Sequence, residues 1–302
     1  MNLLEFVEKH GTEHRCRMKF KRIRDKAGVT CKRCKGTEHY WLNSKQMYQC
    51  KTCRFRTSLR SGTMMEASNL PFRYWYIALY FMTRDKKSVS AHQIQRELGH
   101  RYYQPIFEMM HKIRVAMGIR DEKYLLSGEV EVDEGFFETL IAEDEKDKPR
   151  KRGRGSQKQT MAMVFAQTER VANPRKNRPS SRCRYFKMVV CPEFDSEIAR
   201  TLIEDSTAEG SKLISDGLSI YMKLRNEGMK ISAETTPPHQ AHKKLPWVHA
   251  AIGNFKRVLH GIHHHSEKLY IQNYMNEFCW KLNRRYFGKR LFERGLVALT
   301  LT

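Results

Sequence analysis

Two Cys-x-x-Cys pairs, Cys31-Lys-Arg-Cys34 and Cys50-Lys-Thr-Cys53, stand 15 residues apart near the N-terminus. Four thiolates at that spacing can close a tetrahedral shell around one Zn²⁺, and the metal then replaces the hydrophobic core that so short a segment cannot build. Residues 39–49 read as two short strands around Asn43-Ser44-Lys45, which makes the segment a zinc ribbon; disulfides or unrelated thiols are the alternatives. Lys32, Arg33, Lys35, Lys51 and Arg54 surround the cysteines, so the knob turns positive charge outward. A second set of chemistry-bearing residues lies far downstream: Asp133, Asp216, His249 and Lys256. Two carboxylates brought to one spot call for a divalent cation, and Mg²⁺ or Mn²⁺ held that way supports in-line displacement at phosphorus. Taken singly, each aspartate is a turn or surface residue, and only the elements around them can bring them together.

Those elements are legible in the hydrophobic pattern. The first 20 residues carry helical periodicity, and the polar stretch Thr57–Thr63 closes the ribbon. Pro71 opens an apolar helix over 71–83, Ser90 caps a short helix that Gly99 ends, and a further helix runs from about Tyr103 to Met117. Helix, glycine turn and helix read as a helix-turn-helix or, alternatively, as an ordinary helical linker bundle. From Glu129 the period changes to two: Glu129, Glu131 and Asp133 point to one face, Val130 and Val132 to the other. Strands follow at 161–166 and 185–190, separated by the basic loops Lys146–Lys158 and Arg170–Arg184. A helix over roughly 195–207 then precedes a short strand, 212–217, with Asp216 at its tip. Three strands, a helix and a fourth strand tipped by a carboxylate is the order of an α/β, RNase H-like mixed sheet with flanking helices. In that fold Asp133 and Asp216 lie side by side. The chain divides accordingly into residues 1–60 (helix and ribbon), 61–122 (helical module) and 123–302 (sheet domain).

A third ligand in such a site comes from a helix 30–40 residues after the second aspartate. Here that helix starts at Pro246, ends at Gly261 and contains no carboxylate. His249 and Lys256 are seven residues apart and nearly in line, with Gly253 between them, while Asn254 lies roughly 140° from His249. The reading is His249 as a metal ligand or phosphate-orienting group and Lys256 as a phosphate clamp; a core histidine and a surface lysine is the alternative.

Composition points to the partner. Lys and Arg number 56 against 33 Asp and Glu, a formal charge of +23, which is complementary to a polyanion such as DNA, though a solvated basic surface would show the same total. No apolar run reaches the roughly 20 residues of a membrane span and residues 1–20 lack a signal-peptide pattern, so a soluble intracellular protein is expected. Cys16, Cys183, Cys191 and Cys279 are then reduced thiols.

Taken jointly, Thr12-Glu13…Cys16, the four-cysteine ribbon, Glu131-Val-Asp133-Glu134, Ser215-Asp216-Gly217, Trp247-Val-His249…Asn254-Phe-Lys256, Gly261-Ile-His-His264 and Asn276-Glu-Phe…Asn283-Arg-Arg285 closely resemble the ISXO-like bacterial insertion-sequence transposases. The resemblance covers nearly the whole chain. It implies an RNase H-like DDE-type transposase with a structural Zn²⁺ at Cys31, Cys34, Cys50 and Cys53 and a catalytic Mg²⁺ or Mn²⁺ at Asp133 and Asp216. Double-stranded DNA, as element ends and target, would be the partner of a homo-oligomer in the cytoplasm, associated with the nucleoid. Many relatives carry glutamate at the third acidic position; this chain resembles the branch with histidine there and lysine one heptad later, so Asp133, Asp216, His249 and Lys256 take the catalytic positions. A DNA-binding derivative without activity and a structure-specific nuclease are the competing functions.

Overall fold

Side-chain caps start the first two helices. Asn2 accepts the Glu5 amide and Glu5 reaches back to the Asn2 amide, opening α1 (Leu3–His10), and Thr12 caps α2 (Glu13–Ala27). The single helical stretch expected over the first 20 residues is therefore two helices that break around Gly11. The computed structural model describes residues 1–153, 155–172, 180–191, 193–233, 244–264 and 266–301. The ribbon follows α2 as β1 (His39–Leu42), β2 (Met47–Cys50) and β3 (Arg56–Ser58), antiparallel in the order β1-β2-β3. Its third strand gives no signal in the sequence, being only three residues long.

Pro71 sits one position before α3 (Phe72–Arg84) and offers no side-chain cap. The Glu13 carboxylate on α2 takes that role, accepting the Phe72 and Arg73 amides at 3.0 and 2.9 Å. Ser90 caps α4 (Ala91–Leu98) and Gly99 ends it in the left-handed region at φ 61°, as the sequence signals, and α5 (Tyr103–Glu122) runs five residues beyond Met117.

The sheet is built from β4 (Glu129–Glu138), β5 (Gln159–Arg170), β6 (Ser181–Val190), β7 (Lys212–Ser215) and β8 (Ile231–Ala233), in the order β6-β5-β4-β7-β8. Pairings β6-β5 and β5-β4 are antiparallel; β4-β7 and β7-β8 are parallel. Helices α6 (Ser196–Ser206) and α7 (Ser219–Asn226) connect the later strands, and α8 (Pro246–Ile262), α9 (Lys268–Asn283) and α10 (Leu291–Leu301) follow. β5 takes Arg170 and β6 takes residues 181–184 from the two ends of the expected second basic loop. Residues 173–179 of that loop, and Arg154 of the first, lie outside the described residues.

Strand alternation assigns the two faces. Val130, Val132, Met163 and Phe165 pack with Ala199 and Ile203 of α6 and Tyr221 and Leu224 of α7. Phe137, Ala162, Val164 and Ala166 pack on the opposite face with Val248, Ala251 and Phe255 of α8 and Met275 and Cys279 of α9. Helices thus cover both faces of a mixed sheet. Residues 121–285 form one compact unit; residues 1–120 and 286–302 form the other. The last 17 residues, placed with the sheet domain by sequence, belong to the first unit: Gly295 of α10 lies so close to Leu79 of α3 that an added Cβ would stand 2.7 Å from it. No described helix is long and apolar enough to cross a membrane.

Candidate active site

Parallel pairing aligns Glu129 with Lys212, Val130 with Leu213 and Glu131 with Ile214. Continued by two residues, that register sets Asp216, just past the end of β7, level with Asp133 on β4. Asp133 keeps 13 % of its side-chain surface, and its Oδ1 accepts the Glu134 amide at 2.8 Å. Asp216 Oδ1 accepts the Leu218 amide at 3.2 Å, which closes the turn leading into α7. Both carboxylates are therefore oriented by local backbone.

α8 crosses the same sheet face. Gly135 lets it approach closely: a Cβ there would lie 3.3 Å from Ile252. His249, in the first turn, places Nε2 3.7 Å from Asp133 Oδ2 with 35 % of its side chain exposed. The first turn itself is tied to the sheet. Glu131, 4 % exposed, accepts both the Trp247 amide (2.8 Å) and the Val248 amide (3.0 Å) on Oε2. Burial raises the Glu131 carboxyl to about 7, against the two amide bonds that lower it. Trp247 Nε1 donates to Ser181 on β6 at 2.9 Å.

On the other face, the Tyr221 hydroxyl donates to Glu134 at 2.5 Å. Burial, then Glu134 and the nearby Asp133 and Asp216 charges, push the phenol well above its usual range, which keeps Tyr221 protonated and a donor. Neither this tyrosine nor the α8-capping role of Glu131 could be read from the sequence, because each depends on partners 87 and 116 or more residues away.

The sequence-selected residues are thus partly assembled. His249 Nε2 stands 3.7 Å from Asp133 Oδ2, and Asp216 follows directly on the end of the adjacent strand β7. Lys256 lies two helical turns along α8, exposed, where it lines a cleft of about 140 Å³ with Phe136, Glu138, Gln159 and His260. Asn254 is exposed and accepts from Arg257 at 2.9 Å. Among the described residues, only the four cysteines bring three or more metal-ligating atoms within 4.8 Å of one another. Asp133, Asp216 and His249 therefore form a more open donor set than the ribbon.

The ribbon fits zinc closely. Cys31 and Cys53 sulfurs are 3.5 Å apart, as are those of Cys34 and Cys50, near the ~3.8 Å edge of a tetrahedron with Zn–S bonds of about 2.3 Å. Two matching knuckles build it: the Lys35 amide donates to Cys31 O and the Arg54 amide to Cys50 O, both at 3.0 Å, with Lys35 and Arg54 in the left-handed region. Amides of Cys53 and Cys34 point at the Cys50 and Cys31 sulfurs respectively; the first holds Cys50 down at about 6, and the second lowers Cys31. Gly36 packs against the site: a Cβ there would sit 3.4 Å from the sulfurs of both Cys34 and Cys50, in van der Waals contact with each.

A family model described as the ISXO2-like transposase domain matches residues 125–283, the stretch from just before β4 to the end of α9. An "Uncharacterized protein in transposable element ISH50" of Halobacterium salinarum is 25 % identical over 222 residues, covering 70 % of each chain. No solved structure matches.

Proposed function

The chain belongs to the ISXO2-like transposase family, and from that premise we propose that its sheet unit is an RNase H-like catalytic domain that cuts DNA at the ends of an insertion sequence and joins them to a target. The parallel β4-β7 register carries this reading, because it sets Asp216 level with Asp133 while α8 brings His249 to 3.7 Å from Asp133. In the cutting step a water oxygen attacks the scissile phosphorus and the DNA 3′ oxygen leaves, capturing a proton to become a 3′-hydroxyl. In the joining step that hydroxyl attacks a target phosphodiester in line and the target's own 3′ oxygen leaves. No covalent link to the protein forms.

Asp133 and Asp216 are the residues that would hold Mg²⁺ or Mn²⁺. Their oxygens are the hard donors these ions take, and Mg²⁺ is commonly held by one or two carboxylates with waters and substrate phosphate completing its shell. When bound, the metal supplies charge neutralisation and activation of the attacking oxygen. His249 stands beside Asp133 with part of its ring exposed, placed to hydrogen-bond the scissile phosphate or to add a nitrogen ligand, and Lys256 clamps a phosphate further along α8. The ribbon, with zinc at its four cysteines, and the α3–α5 module bind the element ends. A homo-oligomer on DNA would place one catalytic unit at each of the two ends.

The test is metal-dependent cleavage and joining of labelled element-end DNA. Asp133→Asn and Asp216→Asn should each abolish both steps and leave DNA affinity within about twofold. The absence of a carboxylate on α8 favours one other reading, a DNA-binding derivative without activity. Wild-type protein that binds ends tightly yet never cuts or joins them with Mg²⁺ or Mn²⁺ would establish that reading instead.

A further inference from the structure

The first turn of α8 has a full account of its backbone donors. Pro246 has no amide hydrogen, His249 N–H reaches Leu245 O at 3.1 Å, and Leu245 at the N-cap makes no side-chain bond. The two remaining amides, Trp247 and Val248, both go to Glu131 Oε2. Glu131 lies two residues before Asp133 on the same face of β4, and His249 follows Val248 directly. One buried carboxylate therefore joins the strand that carries the first aspartate to the turn that carries the histidine. Helix capping alone would not single it out, since Glu13 caps α3 in the same manner with no such residues beside it. What differs is that the cap and the candidate site share both elements. A second side-chain bond on this turn, from Trp247 Nε1 to Ser181, runs to β6 and not to β4, so Glu131 adds a polar tie to the apolar packing of Phe137 against α8.

We propose that Glu131 is a positioning residue of the reaction: its hydrogen bonds to the Trp247 and Val248 amides fix α8 on β4 and so set His249 against Asp133. The inference rests on the catalytic reading above. Its distinctive consequence is that reach matters and charge does not. Glu131→Gln keeps the side-chain length and an oxygen that accepts both amides, and should stay within about threefold of wild type in the rate of joining pre-nicked ends. Glu131→Asp keeps the charge but draws the acceptor back by one methylene, about 1.5 Å. A misplacement of about 1 Å costs on the order of 100-fold, so Glu131→Asp should lose about that much in kcat with KM for the nicked end unchanged.

The experiment measures single-turnover joining, Mn²⁺ affinity by electron paramagnetic resonance, and amide exchange at residues 247 and 248. Both variants should bind Mn²⁺ as wild type does, and only Glu131→Asp should exchange faster at those amides. Leu224→Ala, a core truncation on the opposite sheet face, serves as a stability control and should lower Tm without changing kcat of the folded protein. The proposal is overturned if Glu131→Asp joins at the wild-type rate. It is equally overturned if Glu131→Gln is inactive with weakened Mn²⁺ binding, which would make the carboxylate a ligand. Wild-type protein inactive on pre-nicked ends would instead overturn the catalytic reading itself.

Discussion

Substituting Gly135 with alanine adds one methyl on β4 where the strand faces Ile252 of α8. Built on the existing backbone, that carbon falls 2.6 Å from Cε2 and Cζ of Phe137 and 3.3 Å from Ile252 Cγ1. Carbon contacts are optimal at about 3.5–4.0 Å, so the overlap with the ring is about 1 Å. Phe137 is fully buried with its ring edge-on to Phe255 of α8, 5.2 Å between centroids, and cannot simply swing into solvent. The displacement passes to Phe255 and Ile252, which both belong to the helix carrying His249. Overpacking of this kind costs about 1–3 kcal/mol; for a unit the size of residues 121–285 that is roughly 2–12 °C in Tm. The same shift, if it moves the first turn of α8 by about 1 Å, lowers joining of pre-nicked ends about 100-fold. Thermal unfolding and single-turnover joining, each at saturating DNA where relevant, measure the two effects. Pairing Gly135→Ala with Phe137→Leu removes the colliding ring atoms, and the double variant should regain most of the rate. If Gly135→Ala melts within 1 °C of wild type and joins at the wild-type rate, the close approach does not govern the site.

Cys34→Ser protein should lose its zinc by elemental analysis and its ribbon fold over residues 25–58 by amide exchange, with weaker end binding and the sheet unit intact, because a structural zinc contributes about 10–16 kcal/mol of apparent binding energy to a segment with little core; full zinc content would refute this. Neutralising Arg150, Lys151 and Arg152 together should weaken binding to any DNA sequence and lower the salt slope of log K by up to about 2.7, or about 0.9 for each phosphate no longer neutralised. A loss confined to element ends would mean that this segment reads bases. His10 is buried among Phe6, Tyr76 and Phe292, and burial lowers its pKa below the ordinary 6.5. Since the unfolded chain then binds the proton more readily, stability is fully present above pH 6.5 and falls as pH drops below it. Tm measured from pH 7.5 to 5.5 should show that loss, and His10→Phe should flatten it; an unchanged profile in the variant would place the pH response elsewhere.

The cysteine spacing, the caps at Ser90 and Gly99, the alternating run at Glu129 and the Pro-started helix at 246 were all local patterns. Local patterns survive in a linear sequence because their physics acts over two to five residues: ligand bite, hydrogen bonding across one helical turn, and the pleat. Strand order gave the neighbourhood of Asp133 and Asp216 for a related reason, since short connections and crossover rules leave few ways to arrange three strands, a helix and a fourth strand. Tertiary structure alone decided how the helices were capped at a distance, with Glu13 serving α3 and Glu131 serving α8 where neither N-cap residue makes a side-chain bond. It also returned residues 286–302 to the N-terminal unit and buried Tyr221 against Glu134. In each of these the partners are dozens to hundreds of residues apart, and no periodicity records them. A buried carboxylate at 131 and a half-buried one at 129 look the same in the sequence; the difference is made by α8, which supplies two amides in exchange for water.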